Sequence, residues 1–241
     1  MKSETRDALK VLASQFDDRL TNIASNSQTT VENESRAFGG VMRMQKGGMV
    51  EKLTEDLVEI AWIREIGGSI ARLNIVSKKI EIPIQQCYVA SLTPRVRNYI
   101  DQNAPYKYML SVDRHVFIDD EFVLGIECKA YAENAMIKRI LVDFMLLKTK
   151  FPKIDTYLFQ LESMLGGDYE QATVDPLGSE STHSIMSYFG DVDLKIITFM
   201  KGARKVDEPI HQASYFKPLE IDALEEAVSQ LVESLNRREN H

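Results

Sequence analysis

One stretch of the sequence, residues 113 to 131, constrains the fold more than any other because it specifies two adjacent β-strands. It reads DRHVFIDDEFVLGIECKAY, in which two apolar runs are separated by the acidic residues 119 to 121. Apolar runs joined by a polar loop of about three residues are typical of a β-hairpin. We therefore predict a hairpin over residues 113 to 129, in which Ile118 pairs with Phe122.

Side chains alternate between the two faces of a strand, so the second strand of this hairpin presents two different surfaces. One surface is apolar and is formed by Phe122, Leu124, Ile126 and Cys128. The other is formed by Val123, Gly125, Glu127 and Lys129. Because a carboxylate and an ammonium group are costly to bury without partners, we expect further polar groups beside the second surface.

Counting back through the predicted hairpin places Asp113 opposite Glu127, on the face that also carries Lys129. Opposed residues on one face have Cβ atoms about 4.5 to 5.5 Å apart, so the two carboxylates either repel each other or hold positive charge between them. A slip of one residue would turn Asp113 to the other face, so the prediction depends on the register. Two carboxylates and an amine suit Mg²⁺-assisted hydrolysis of a phosphodiester.

The spacing of Asp113, thirteen residues and then Glu127-Cys128-Lys129 resembles the motif of the PD-(D/E)xK nuclease superfamily, with Val112 in place of the proline. The resemblance implies a metal site formed by Asp113, Glu127 and the carbonyl of Cys128, with Lys129 as the catalytic lysine. It implies Mg²⁺ as the cofactor. It also implies a core in which one helix precedes the hairpin and another follows it.

Two further similarities extend this resemblance. The segment GGMVEKL, residues 47 to 53, is similar to a helix start that supplies an additional glutamate near the metals in many members, which makes Glu51 the candidate for that role. Because Glu51, Glu55 and Glu59 are spaced four apart, a solvated helix face is an equally open interpretation. Size and layout look most like type II restriction endonucleases, and residues 143 to 163 resemble the helix-to-strand passage of EcoRI-like enzymes.

A second triplet of acid, any residue and lysine is the alternative site. It is Asp193-Leu194-Lys195, and its acidic partner would be Asp175. This triplet begins an apolar strand rather than ending one, and Asp175 lies in a long loop, so the sequence favours the first triplet. The other open interpretation is that Glu127 and Lys129 form only a surface ion pair, which contributes about 0 to 1 kcal/mol.

The remainder of the chain indicates an α/β or α+β fold. Apolar residues at three-to-four spacing predict helices over residues 3–24, 49–66, 134–150 and 218–236. Strands are predicted over 154–162 and 191–200, and extended chain over 71–84. We expect a restriction-endonuclease-like fold, with a central mixed five-stranded sheet flanked by helices. It would form a single nuclease domain over residues 1–241, with an N-terminal helical segment at 1–48.

The net charge of −7 argues mildly against a partner rich in phosphates, although local clusters of basic residues matter more than the total. The candidates for DNA contact are Arg36, Arg43, Lys46, Lys201 and Arg204. Smaller basic pairs are Lys78 with Lys79 and Arg95 with Arg97. Each cluster is more often ordinary solvated surface. The stretches 31–48 and 166–184 are the preferred DNA-recognition loops, because long loops in compact domains are usually functional or disordered.

Composition also bears on the compartment. No apolar run approaches the ~18 residues of a membrane span, and nothing at the start of the chain resembles an export signal. Two cysteines, Cys87 and Cys128, are too few for a disulfide framework. We therefore expect a cytoplasmic protein without a membrane partner, in which both thiols are reduced and buried.

Together these patterns predict a Mg²⁺-dependent type II restriction endonuclease that cuts double-stranded DNA at a specific sequence and leaves 5′-phosphate ends. One active site per chain implies a homodimer on a palindrome, since both strands are cut. Two alternatives remain open at this point. One is a structure-selective repair or recombination nuclease with the same core, and the other is a catalytically inactive DNA-binding protein.

Overall fold

The structure is a computed structural model that describes residues 1–27, 35–103, 106–166, 179–210 and 212–239. Within those ranges, the side chains of residues 23–27, 35–44, 213, 238 and 239 are not described. Among the helices of the described ranges, none is both long and apolar enough to cross a membrane.

The helices largely follow the hydrophobic spacing of the sequence. Their bounds are α1 (Ser3–Ser27), α2 (Ser35–Glu59), α3 (Gln86–Ser91), α4 (Pro94–Gln102), α5 (Asn134–Lys150), α6 (Glu180–Ser187) and α7 (Ile221–Glu239). A π-helical segment, Ile60–Ile66, continues α2, and short 3-10 turns occupy Ile70–Arg72, Gly190–Val192 and Ala213–Tyr215. The helices predicted over 3–24, 134–150 and 218–236 are confirmed, with small differences at their ends.

Helix α2 begins at Ser35, whereas we predicted a loop up to residue 48 and a helix start at 49. The prediction was wrong because glycine and serine disfavour a helix locally, by up to about 1 kcal/mol for glycine, and packing of the following apolar residues outweighs that cost. Residue 48, the predicted end of the N-terminal helical segment, therefore lies inside α2. Residues 31–34 of the predicted loop lie outside the described residues.

Helix α6 occupies part of the second predicted loop, residues 166–184. It begins after Ser179, whose hydroxyl accepts a hydrogen bond from the backbone N–H of Thr182 at 3.2 Å. A serine cap of this kind stabilises a helix start by about 1 kcal/mol. Residues 167–178 of the same predicted loop lie outside the described residues.

The strands form one large sheet and one small one. Their bounds are β1 (Leu73–Val76), β2 (Ile80–Pro83), β3 (Lys107–Leu110), β4 (Arg114–Ile118), β5 (Glu121–Ala132), β6 (Asp155–Ser163) and β7 (Leu194–Thr198). The five-stranded sheet has the order β1-β4-β5-β6-β7, antiparallel from β1 to β5 and parallel from β5 to β7. Strands β2 and β3 pair separately. The predicted mixed five-stranded sheet is confirmed.

An apolar core covers each face of the large sheet. On one face α1, α2 and α7 pack around buried residues that include Leu53, Trp62, Ile126, Phe159 and Leu231. On the other face α5 and the β2–β3 sheet pack around residues that include Ile82, Leu110, Phe144, Leu158 and Val192. Because both faces are covered, β5 and β6 are buried along most of their length, as is usual for strands in parallel pairs.

The hairpin of β4 and β5 lies where we predicted it, but its turn is shorter. Asp119 and Asp120 form a two-residue turn in which both have positive φ, 48° and 67°. Two-residue turns with this conformation match the twist of hairpin strands, and aspartate tolerates it better than most residues. Ile118 consequently pairs with Glu121, and the predicted pairing with Phe122 is wrong.

A β-bulge corrects the register before the strands reach the acidic residues. The register shifts between Val116 and Phe117, so Val116 pairs with Leu124 and Arg114 pairs with Ile126. The bulge also exchanges two side chains between faces. Phe122 packs in the core on the α5 side and Val123 in the core on the α2 side, the reverse of our prediction.

The end of the π-helical segment brings two glycines against a tryptophan. Gly67 ends it with φ of 86°, in the left-handed region that favours glycine. A Cβ on Gly68 would lie 2.1 Å from a ring carbon of Trp62, which is fully buried and whose Nε1 donates a hydrogen bond to the carbonyl of Ser69 at 2.8 Å. Close packing of the ring therefore requires glycine at position 68.

Gly68→Ala should lower the free energy of unfolding by about 1 to 3 kcal/mol, because the added methyl group overpacks the site of Trp62. Urea denaturation followed by tryptophan fluorescence measures this change. Gly48→Ala is the matched control, since Gly48 is exposed inside α2 and its Cβ would meet nothing within 4 Å. That control should stabilise the protein by about 0.5 to 1 kcal/mol. Equal effects of the two substitutions would contradict the packing argument.

Candidate active site

The candidate site lies at the open end of the β4–β5 hairpin, away from its turn. Asp113 directly precedes β4, and Glu127, Cys128 and Lys129 lie within β5. Continuing the register of Arg114 with Ile126 by one residue places Asp113 across from Glu127. The predicted juxtaposition of the two acids therefore holds, although it arises from a shorter turn and a bulge rather than from a three-residue loop.

Lys129 joins the two acidic residues. Its Nζ lies 2.7 Å from Oδ2 of Asp113, 2.5 Å from Oε2 of Glu127 and 3.2 Å from the carbonyl oxygen of Cys128. The three oxygen atoms thus converge on one cation. The structure brings together Asp113, Glu127, Lys129 and the Cys128 carbonyl, which are four of the groups predicted from the sequence.

Asp113 is positioned by the backbone of the opposite strand as well as by charge. Its Oδ2 accepts a hydrogen bond from the backbone N–H of Cys128 at 2.8 Å. The side chain of Cys128 points to the opposite face of β5, where its Sγ lies 3.2 Å from Oγ1 of Thr54. Cys128 is buried as predicted, whereas Cys87 is exposed, so the prediction that both thiols are buried is wrong for Cys87. Burial raises the pKa of the Cys128 thiol, so the thiol stays protonated at neutral pH and takes part through its backbone alone.

Burial sets the charge state of the cluster. Glu127 is only 7% exposed, and this burial raises the pKa of its carboxyl to about 7; the Lys129 ammonium opposes the rise and the Asp113 carboxylate adds to it. Burial lowers the pKa of Lys129, but the charges of Glu127 and Asp113 outweigh it, so the pKa is raised overall. Lys129 is therefore protonated at neutral pH, while Glu127 titrates near it.

Arg114, which follows Asp113 in the sequence, pairs with two glutamates of α2. Its guanidinium lies 2.9 Å from Oε2 of Glu51 and 2.8 Å from Oε1 of Glu55, and it donates a hydrogen bond of 2.7 Å to the backbone carbonyl of Asp113. Glu51, predicted as an additional metal ligand, is thus paired with Arg114. Among the residues described, no three His, Cys, Asp or Glu side chains cluster closely enough to hold a metal ion.

The oxygen donors around Lys129 fit a hard divalent cation. A site for Mg²⁺ typically offers one or two carboxylates, with water and phosphate oxygens completing the shell. Asp113 and Glu127 supply two carboxylates and Cys128 supplies a carbonyl. The ammonium of Lys129, in contact with all three, shows that one positive centre can be shared by them.

Two residues near the cluster escaped sequence analysis. Arg114 shares a strand face with Val116 and Ile118, which are buried against α2, so an arginine in a core-facing position was an available signal. Gln160 pairs with Lys129 across β5 and β6 and is fully buried. Its Nε2 donates to Thr198 at 2.9 Å, whereas its Oε1 has no hydrogen-bond partner within the described ranges.

The basic residues predicted to contact DNA have different surroundings. Lys201 forms an ion pair with Glu220 at 2.9 Å. The guanidinium of Arg204 lies 3.5 Å from the ring centroid of Tyr131, which is two residues beyond Lys129 on β5. The structure therefore places Arg204 beside the end of β5 that also carries Lys129.

The remaining three predicted DNA contacts lie in α2. Lys46 is half-buried, and burial lowers the pKa of its ammonium, with Glu162 opposing the change. Arg204 is the nearby positive charge that adds to the lowering. The side chains of Arg36 and Arg43 lie outside the described residues, so their role stays a prediction.

The alternative triplet has no comparable surroundings in the described part of the chain. Asp193 ends a 3-10 turn with φ of 50°, and Lys195 lies 3.3 Å from the hydroxyl of Tyr157, on the side of the sheet that α7 covers. Asp175, its predicted partner, lies outside the described residues. The geometry therefore favours the first triplet.

Removing the charge of Lys129 and removing the charge of Asp113 should shift the pKa of Glu127 in opposite directions. Lys129→Met should raise it further above about 7, because the ammonium lowers it, whereas Asp113→Asn should lower it, because the carboxylate raises it. Carbon-13 NMR titration of the glutamate carboxyls in EDTA measures both changes. Shifts in the same direction would show that the charges of the cluster do not control Glu127.

Comparisons with known proteins show the family of the chain. No family model matches the chain. Type II restriction enzyme DdeI from Desulfomicrobium norvegicum (strain DSM 1741 / NCIMB 8310) is 50% identical over 238 residues, which cover 98% of this chain and 99% of that protein. The solved structure of the native BbvCI A2B2 tetramer at low resolution is 13% identical with a TM-score of 0.41, over 100% of this chain and 99% of that one. Identity of 50% over nearly the full length shows that the chain belongs to the type II restriction enzymes.

Proposed function

We propose that Asp113, Glu127 and Lys129 form the active site with which this sequence-specific DNA endonuclease hydrolyses phosphodiester bonds. The observation that carries the proposal is the convergence of both carboxylates on the Lys129 ammonium, at 2.7 and 2.5 Å, next to the Cys128 carbonyl. Perturbed titratable groups held in such a cluster are typical of catalytic sites. Mg²⁺ is the proposed cofactor, and 5′-phosphate and 3′-hydroxyl groups are the proposed products.

Asp113, Glu127 and the Cys128 carbonyl would hold the metal ion. When bound, Mg²⁺ supplies Lewis-acid stabilisation of charge on the phosphate and lowers the pKa of a coordinated water. The backbone N–H of Cys128 keeps the Asp113 carboxylate oriented toward the cluster. Groups of one hairpin therefore fix the positions and charges of the Asp113 and Glu127 carboxylates before DNA is bound.

Lys129 acts as a cation rather than as a base. Because the two carboxylates raise the pKa of its ammonium, it stays protonated and donates hydrogen bonds to the attacking water and to phosphate oxygens. Without a metal ion the pKa of Glu127 is about 7, so its carboxyl must lose its proton before it can act as a metal ligand. The raised pKa of Lys129 disfavours a role as the base that deprotonates the attacking water.

The proposed assembly is a homodimer of single nuclease domains that acts in the cytoplasm. One cluster of Asp113, Glu127 and Lys129 per chain serves one DNA strand, so cutting both strands calls for two copies. A dimer with two-fold symmetry matches a palindromic site, because each copy then meets the same bases.

Isosteric changes in the cluster should abolish cleavage without unfolding the protein. We expect Glu127→Gln and Lys129→Met to reduce the rate of plasmid cleavage by at least about 10²- to 10⁴-fold. The matched controls are Asp193→Asn and Lys195→Met in the other triplet, which should cut at the wild-type rate. Loss of activity in the second pair and not in the first would move the active site to Asp193 and Lys195.

Metal dependence serves as an independent control on these variants. Wild-type protein should stop cutting in EDTA and resume when Mg²⁺ exceeds the chelator. Calorimetric titration with Mg²⁺ alone should give a binding signal for the wild type that is lost in Glu127→Gln. Undiminished cleavage by the wild type in EDTA would contradict a metal site.

A mixed dimer tests the proposed stoichiometry. Wild-type and Glu127→Gln chains carrying different affinity tags can be co-expressed, and the heterodimer isolated by two-step purification. It should convert supercoiled plasmid to the nicked circle and stop there, because only one strand meets an intact cluster. Direct conversion to linear DNA at the wild-type rate would show that a single site cuts both strands.

A further inference from the structure

The segment inserted between β1 and β4, residues 77–110, is called the insertion here, and it differs in charge from the rest of the chain. Residues 77–110 carry five basic side chains, which are Lys78, Lys79, Arg95, Arg97 and Lys107, and two acidic ones, which are Glu81 and Asp101. The segment therefore has a net charge of +3 in a chain whose net charge is −7. A positively charged segment in an acidic protein is a candidate contact for a polyanion, although Lys107 is paired with Glu81.

Helix α4, in this insertion, has one polar face. Arg95, Asn98, Tyr99 and Gln102 recur at three-to-four spacing, so they line the same side of the helix. All four are exposed, and Tyr99 is 60% exposed. None of their side chains makes a hydrogen bond or ion pair with another residue of the described ranges.

These side chains have the chemistry that reads bases. Asparagine and glutamine form paired hydrogen bonds with adenine, and arginine forms them with guanine, through edges exposed in the major groove. Tyrosine hydroxyls commonly contact phosphate oxygens. An α-helix with its side chains is about 10 to 12 Å wide, which matches a major groove of about 12 Å.

Strand β3 connects α4 to the candidate active site. Residues 103–106 join α4 to β3, and only Ser111 and Val112 separate β3 from Asp113. Gln102, the last residue of α4, and Asp113 are eleven residues apart, so at most about 37 Å separates them, which is about eleven base pairs at ~3.4 Å each. Leu110 and Val112 are each 1% exposed, so the connection is anchored in the core. The C-terminal end of α4 therefore lies within about one turn of DNA from the Asp113 carboxylate.

We propose that the exposed face of α4 enters the major groove of the DNA substrate and that Asn98 and Gln102 read base edges there. Arg95 and Tyr99 flank them and hold the helix against the groove. The inference deepens the proposed function and rests on the placement of the active site at Asp113, Glu127 and Lys129.

A second copy of the chain is the other occupant such a face could take, since Tyr88 and Tyr108 nearby are 57% and 54% exposed. Charge disfavours it. In a two-fold contact each surface meets its own copy, so the positive insertion would face an equally positive one. DNA is complementary to that charge.

The test measures binding in the Glu127→Gln background, using a duplex that contains the site identified by sequencing the ends of wild-type cleavage products. Asn98→Ala and Gln102→Ala should each weaken binding to that duplex by about 5- to 100-fold. Binding to an unrelated duplex should stay within about twofold, because no charge is removed. Gln15→Ala, an exposed glutamine on α1, is the matched control and should change neither affinity.

Cleavage specificity gives a readout that misfolding does not produce. With Glu127 intact, Asn98→Ala or Gln102→Ala should cut duplexes altered at one base position about as fast as the wild-type site. Unchanged discrimination by both variants would overturn the proposal. So would equal loss of binding to both duplexes together with loss of the dimer in sedimentation, which would assign the face to a second copy. Failure of the active-site assignment would appear separately, as cleavage by Glu127→Gln at the wild-type rate.

Discussion

The antiparallel pairing of β4 with β5 is the constraint on which the candidate site depends, because it decides what lies opposite Glu127. The two-residue turn at Asp119 and Asp120, continued without interruption, would place Asp113 opposite Ile126. The bulge between Val116 and Phe117 adds the residue that returns Asp113 to Glu127. Bulges often re-aim side chains next to functional sites, and this one determines whether the two acids share a face.

Burying charged side chains in the cluster costs hydration free energy, and the gain in folding stability does not account for their presence. Glu127 is almost fully buried, and pairing with Lys129 only offsets the loss of its hydration, so buried pairs of this kind contribute little net stability. An apolar strand end would serve the fold at least as well. Such a cost is typical of side chains held for catalysis, which is the role proposed for Asp113, Glu127 and Lys129.

The sequence predicted the site more closely than it predicted the path of the chain to it. The alternation of β5 and the spacing from Asp113 to Lys129 are local features, and both survive in the structure. The bulge left no signal, because three consecutive acidic residues are compatible with a loop of either length. The pairing of Glu51 with Arg114 was missed because it joins a helix to a strand, and helix spacing shows only neighbours on the same helix.

The segment that delivers Asp113 is held by apolar burial, since Leu110, Val112 and Val116 are each no more than 1% exposed. None of the three depends on the charges of the cluster. The apolar residues that position Asp113 are therefore distinct from the charged residues of the cluster. A descendant that lost these acids by mutation would still have the apolar contacts that define the fold, together with any DNA-binding surface that lies outside the cluster.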